Sequence, residues 1–81
     1  MKTWHFQHKG HNIEITNGLS GERLIVDGEL QDERIGPGSR SRLYGKIRSG
    51  DGEGEKIKVS LGGWFSISCI ALVDDKEVFR P

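Results

Sequence analysis

Apolar and polar residues alternate along most of this chain with a period of two. Trp4 and Phe6 precede Lys9–Gly10, and Ile13 and Ile15 follow it. A two-residue turn at Lys9–Gly10 sets Trp4 opposite Ile15 and Phe6 opposite Ile13, so that one face of the hairpin is apolar. No glycine-free window of about a dozen residues has the three-and-four spacing that a helix needs. The pattern therefore predicts an amino-terminal β-hairpin.

The same alternation predicts further strands, which are divided by glycine-containing turns. Asp27–Gly28 is typical of a tight type I′ hairpin turn. Residues 22–27 are predicted to form the strand before this turn and residues 29–31 the strand after it. Further strands are expected at residues 41–48, 56–61 and 64–73, and a last tight turn precedes Phe79.

Two parts of the sequence resemble each other. Ile13-Glu14-Ile15, followed by Gly18, is echoed by Ile57-Lys58-Val59, followed by Gly62. Each half is then predicted to form two successive hairpins.

These patterns predict an all-β fold. We expect a small antiparallel β-sandwich or flattened barrel of roughly eight short strands. We expect residues 1–81 to form a single domain, which can be divided into two halves, 1–35 and 41–80, joined by the glycine- and proline-rich residues 36–39.

Composition adds a local charge asymmetry to this picture. The chain is 81 residues long, with 12 Lys and Arg residues, 12 Asp and Glu residues and a formal net charge of zero. Residues 34–50 nevertheless carry no acid and five cations: Arg34, Arg40, Arg42, Lys46 and Arg48. A basic segment on a neutral molecule is a weak hint of an anionic partner, and a solvated face balanced by the acidic loop at 51–55 is the favoured explanation.

An aromatic residue lies within the basic segment. Arg40, Arg42 and Tyr44 share one face if their segment is extended. An aromatic ring beside arginines can stack on a base while the cations contact phosphates.

Cysteine content and hydropathy bear on the setting. Cys69 is the single cysteine, so an internal disulfide is excluded and a reducing cytoplasm is expected. The amino terminus has no signal-peptide core, and no apolar stretch is long enough to span a bilayer. We expect no membrane association, and either a monomer or a homodimer.

Other candidate chemistry is incomplete in the sequence. His8 and His11 are neighbours in the predicted hairpin but supply only half of a zinc site. Asp51, Glu53 and Glu55 alternate with glycine, without the loop length or helices of an EF-hand; metal binding by either group stays open. Cys69 lies in an apolar run, which disfavours a reactive thiolate. No cofactor and no resident metal are predicted.

Short motifs resemble the amino-terminal β-sandwich domain of the Fas apoptotic inhibitory molecule family. They cover residues 11–35 and 56–78: His11-x-Ile13-Glu14, Gly18, Ser20-Gly21-x-Arg23, Val26-Asp27-Gly28, Ile57-x-Val59, Gly63 and Leu72-Val73-Asp74-x-Lys76. The chain departs from that family in its basic connection at residues 36–48. The resemblance implies a β-sandwich without enzymatic activity that takes part in protein interactions and in protection from aggregation.

We therefore expect a non-catalytic interaction module that binds a protein or peptide through a sheet face or an edge strand. The alternative is a nucleic-acid or anionic-polymer binder that uses the Arg34–Arg48 basic face. Trp64 is adjacent to Phe65, so the two rings face opposite sides and one of them is a candidate contact. The candidate binding residues are Arg40, Arg42, Tyr44, Lys46, Arg48 and Trp64.

Overall fold

The computed structural model describes residues 1–36, 40–63 and 66–81, and these form an all-β structure without helices. Eight strands follow one another: β1 Lys2–His8, β2 His11–Gly18, β3 Gly21–Val26, β4 Glu29–Ile35, β5 Arg40–Lys46, β6 Lys56–Gly62, β7 Ser68–Val73 and β8 Lys76–Phe79. They make two four-stranded antiparallel sheets, ordered β1-β2-β3-β4 (the first sheet) and β5-β6-β7-β8 (the second sheet). The predicted small β-sandwich is confirmed.

The hairpin turns have the geometry that their residues predict. Trp4 pairs with Ile15 and Phe6 with Ile13, in the register expected for a turn at Lys9–Gly10. Both residues of that turn have positive φ angles, 50° and 81°. Positive φ at both central positions is the mark of a type I′ turn, whose twist matches that of the flanking strands.

Strand bounds differ from the prediction where the tertiary structure redirects the chain. The strand expected over 64–73 begins only at Ser68, and residues 64–65 and 37–39 lie outside the described residues. The strand expected over 41–48 ends at Lys46. Ile47 instead bonds to the following loop, donating to the Glu55 carbonyl and accepting from the Gly54 amide at 3.0 and 2.8 Å.

The core lies between the two sheets and is built from alternate residues of their strands. Thirteen residues of the described chain form it: Trp4, Ile13, Ile15, Leu24, Val26, Leu43, Ile47, Ile57, Val59, Leu61, Cys69, Ala71 and Val73. Burying each large aliphatic side chain contributes about 1.5–3 kcal/mol. Most outward positions on the same strands are polar, as expected for sheets that are wet on one face, and the exceptions include Ile25, Tyr44, Ile70 and Leu72.

Side chains close the two seams between the sheets. The Gln31 side-chain amide donates to the Lys46 carbonyl at 2.9 Å and accepts from the Lys46 amide at 2.7 Å. Asp32 Oδ2 accepts from the Tyr44 amide at 2.7 Å. At the other seam the rings of Phe6 and Phe79 stack with their centroids 4.6 Å apart. The Gln31 and Asp32 side chains of β4 thus form hydrogen bonds with backbone groups of β5 that would otherwise be unpaired at the edge of the sheet.

The two sheets also repeat one turn contact. The Asp27 amide donates to the Asn12 carbonyl, and the Asp27 carboxylate accepts from the Asn12 amide, both at 2.8 Å. Asp74 makes the same two bonds with Lys56, again at 2.8 Å. The carboxylates therefore fix corresponding hairpins in the two halves.

Candidate anion-binding site

An open cleft of about 730 Å³ lies where the end of β4 meets the start of β5 and extends onto the second sheet. Three arginines and a tyrosine line it: Arg34, Arg40, Arg42 and Tyr44. Its remaining walls are mostly small residues, including Ser60, Gly62 and Ser68. We call it the arginine cleft.

The alternation of β5 places the arginines in one row. Ser41 and Leu43 are buried, so Arg40 and Arg42 point to the outer face. Their cross-strand partners on β6 are Gly62 and Ser60. These small residues leave space beside the two guanidinium groups.

The three arginines of the cleft form no ion pair within the described chain. No carboxylate is among the described residues that line the cleft. Among residues 1–36, 40–63 and 66–81, no carboxylate lies within ion-pair distance of Arg34, Arg40 or Arg42, and the other five residues of the chain include no acid. Uncompensated guanidinium groups on the walls of one cleft attract anions and can bind them through charge-assisted hydrogen bonds.

Arginines elsewhere on the molecule are already paired. Arg23 Nε lies 2.6 Å from Glu33 Oε2, and Arg80 Nη2 lies 2.7 Å from Glu77 Oε1. The arginines of the cleft therefore differ from Arg23 and Arg80 in having no ion-pair partner among the described residues.

The predicted binding residues separate into groups. Arg40, Arg42 and Tyr44 come together in the arginine cleft. Lys46 and Arg48 line a second depression beside Ile47, and Arg48 Nε lies 3.4 Å from Glu29 Oε1. The chain turns inward at Ile47, and this separates Arg48 from the β5 row. Trp64 lies outside the described residues.

Arg34, which belongs to the predicted Arg34–Arg48 basic face but was not among the candidate binding residues, also lines the cleft. Its place in the basic segment was visible in the sequence. Its position beside Arg40 and Arg42 depends on how β4 and β5 meet, which alternation within a strand does not determine.

Glu22 is a buried carboxylate that the sequence analysis did not identify. It shares the inward face of β3 with Leu24 and Val26 and is 1% exposed. Asn17 Nδ2 donates to its Oε2 at 3.0 Å, while Oε1 has no hydrogen-bond partner in the described part of the chain. The alternation of the strand places Glu22 on the same face as Leu24 and Val26, and this was the sequence signal for its burial.

The histidines at the tip of the first hairpin contact acidic residues. His8 Nε2 lies 3.2 Å from Glu55 Oε1, a carboxylate that also accepts from Lys9 Nζ at 3.0 Å. His11 Nδ1 lies 2.6 Å from Asp27 Oδ2, and its Nε2 lies 2.8 Å from the Asp51 carbonyl oxygen. Within the described ranges no group of three or more His, Cys, Asp or Glu residues is placed to hold a metal ion.

The two contacts of His11 favour its protonated form. Both ring nitrogens can donate to these oxygens at once only in the imidazolium. The hydrogen bond to Asp27, and next the Asp51 carbonyl, raise the pKa of His11 above its ordinary 6.5. The same bond to His11, followed by the Asn12 amide, lowers the pKa of Asp27.

These contacts predict a pH-dependent stability. Because the His11 pKa is higher in the folded state, its contribution is complete below 6.5 and is lost as the pH rises through the folded pKa. We expect the urea midpoint to fall from about pH 6 to about pH 8.5, and this fall to be smaller in His11→Gln. The Asp27 contribution is lost only on acidification and does not contribute to this fall. An equal fall in both proteins would contradict the assignment.

Cys69 belongs to the core. It is 1% exposed and pairs across strands with Leu61. Burial raises the pKa of its thiol to about 11, which disfavours the thiolate at neutral pH.

No model of a protein family, no curated protein and no solved structure matches this chain. The resemblance to the Fas apoptotic inhibitory molecule domain stays a prediction from short motifs. In the part of the chain that the structure describes, no helix is long and apolar enough to cross a membrane.

Proposed function

We propose that this chain is a non-catalytic interaction module that captures an anionic partner in the arginine cleft. The observation that carries the proposal is the meeting of Arg34, Arg40 and Arg42 in one open cleft, without a carboxylate among the lining residues that the structure describes. Guanidinium groups form strong, often bidentate hydrogen bonds with carboxylates, phosphates and sulfates. Small residues on the floor give such a group access to them.

The composition of the cleft supports binding rather than catalysis. Its described lining residues include no carboxylate, histidine or thiol that could transfer a proton or attack a substrate. Cys69 faces the core, and its raised pKa is the opposite of what a nucleophile needs. A reducing cytoplasm is the setting that we propose, since it suits a chain with one buried thiol.

At the β4–β5 seam, the occupied strand edge favours recognition by the sheet face over strand addition to β5. Backbone groups of Tyr44 and Lys46 on the β5 edge are already bonded to Gln31 and Asp32. A partner strand would have to displace these side chains before pairing with β5. The outer face of β5 requires no such displacement.

Heparin, a sulfated polymer, provides the test. The protein should be retained on a heparin column at low salt, and the double variant Arg40→Gln, Arg42→Gln should elute much earlier. Each lost charge-assisted contact lowers the affinity about tenfold. Salt should weaken the retention in proportion to the number of contacts.

The matched control is Arg23→Gln, Arg80→Gln. It removes the same charge from arginines that are paired with Glu33 and Glu77, and it should be retained almost as well as the unmodified protein. Equal loss in the two double variants would show that only net charge matters. That outcome, or no retention of the unmodified protein, overturns the proposal.

A further inference from the structure

The arginine cleft continues into a larger cationic surface on the outer face of the second sheet. Five cations occupy this surface, which we call the cationic track: Arg40, Arg42 and Lys46 on β5, and Lys56 and Lys58 on β6. Of these, Lys58 is within ion-pair distance of a carboxylate, with its Nζ 3.9 Å from Asp75 Oδ1. From Arg40 to Lys46 the track runs about 20 Å at the usual rise of a strand. It is therefore longer than one carboxylate or phosphate requires.

Two lysines of the track are placed against each other. Lys46 and Lys56 are direct cross-strand partners. Neither has a carboxylate within ion-pair distance among the described residues, and the rest of the chain has no acid. Like charges directly opposite each other destabilise a sheet. An anionic ligand lying across both side chains would remove that repulsion.

Tyr44 lies in the middle of the track and is 55% exposed. It is located between Arg42 and Lys46 on the same face of β5 and opposite Lys58 on β6. Its backbone amide is bonded to Asp32, so the strand that carries the ring is fixed. The result is an exposed aromatic ring with cations on three sides.

This combination distinguishes one class of polyanion from the others. An acidic peptide supplies carboxylates but has no general need for an aromatic platform. A duplex keeps its bases stacked inside and presents phosphates to the protein. A single strand offers phosphates to the cations and an exposed base to the tyrosine, which is how proteins bind single strands without sequence preference.

We propose that the cationic track binds single-stranded nucleic acid, with a base stacked on Tyr44 and the neighbouring phosphates on the lysines and arginines. This inference rests on the proposed function, because the arginine cleft forms one end of the track. It adds the class of partner and the roles of Tyr44, Lys46 and Lys56.

The test is fluorescence anisotropy at low salt with a labelled oligothymidylate of about twelve nucleotides. Three matched probes accompany it: an abasic strand of the same length, a duplex of the same length and an oligoglutamate of about equal charge. The unmodified protein should bind the oligothymidylate about tenfold more tightly than any of them.

Variants separate stacking from charge. Tyr44→Ala should weaken oligothymidylate binding about tenfold and leave binding of the abasic strand unchanged, whereas Tyr44→Phe should keep both. Lys46→Gln with Lys56→Gln should reduce the salt dependence by about 1.4 in slope, since each phosphate contact contributes about 0.7 on single strands. A thermal melt of each variant verifies that it is folded.

The possible failures are distinguishable. Binding of oligoglutamate in preference to oligothymidylate overturns this inference and leaves the proposed function in place. Equal affinity for the duplex or the abasic strand, or a folded Tyr44→Ala variant that binds oligothymidylate normally, also overturns the inference. Failure to bind any of the four probes overturns this inference, and if heparin also fails to retain the protein the proposed function is overturned with it.

Discussion

Replacing Gly21 with alanine should destabilise the protein by about 3 kcal/mol or more. Gly21 has a φ of 138°, which residues with a side chain rarely adopt, and an added Cβ would collide with the carbonyl oxygen of Arg34. That oxygen belongs to the backbone of β4 and cannot rotate away as a side chain would. A domain of this size is expected to be stable by only about 4–12 kcal/mol, so the loss is a large fraction of the total.

Gly18→Ala is the control for this prediction. The three atoms nearest to a Cβ at residue 18 belong to the Met1 side chain and lie at 3.7 Å or more, and the backbone of Gly18 is not in the left-handed region. Urea unfolding followed by circular dichroism should show Gly18→Ala within about 1 kcal/mol of the unmodified protein. Similar midpoints for the two variants would contradict the close approach of β3 and β4 at Gly21.

Leu24→Ala should lower the free energy of unfolding by about 2–5 kcal/mol. Leu24 is fully buried at 0% exposure. It packs close to the backbone of the opposite sheet, since a Cβ built at Gly45 would lie 3.0 Å from Leu24 Cδ2. Truncation leaves a cavity between two sheets that cannot approach without disturbing the Gln31 bonds to Lys46.

Leu30→Ala is the matched control, because it removes the same atoms from a side chain that is 49% exposed. Its effect should stay below about 1 kcal/mol. The measurement is again the urea midpoint with a common slope. If both leucine variants lost the same free energy of unfolding, the core between the two sheets would not be packed as described.

Much of the fold could be predicted because its signals are local. Alternation assigns each side chain to a face, and Lys9–Gly10 fixes the register of the whole first hairpin. The register set by Asp27–Gly28 holds only as far as Ile25, because a bulge between Leu24 and Ile25 then shifts the pairing of β3 with β4. The starting residue of β7 is predicted less accurately, as residue 64 instead of Ser68. An apolar run does not reveal where hydrogen bonding to the neighbouring strand begins. Ile67 packs against the core without belonging to a strand.

The candidate site was predictable only within one strand. Arg40, Arg42 and Tyr44 share a face by alternation alone, and the structure places them in one cleft. The positions of Arg34 and of the Lys46–Lys56 pair depend on how separate strands meet. Glu22 was missed because its residue type suggests solvent, whereas its strand places it inside.

The order of strands in the two sheets has a consequence for how the chain folds. Every ladder joins segments that follow one another directly in sequence. Each pairing therefore closes a short loop, with a small loss of chain entropy, and no strand has to search for a distant partner. Mostly local pairing of this kind favours faster folding than is usual for β-sandwiches, whose strands often cross from one sheet to the other. Packing of the first sheet against the second is then the step that brings together residues far apart along the chain.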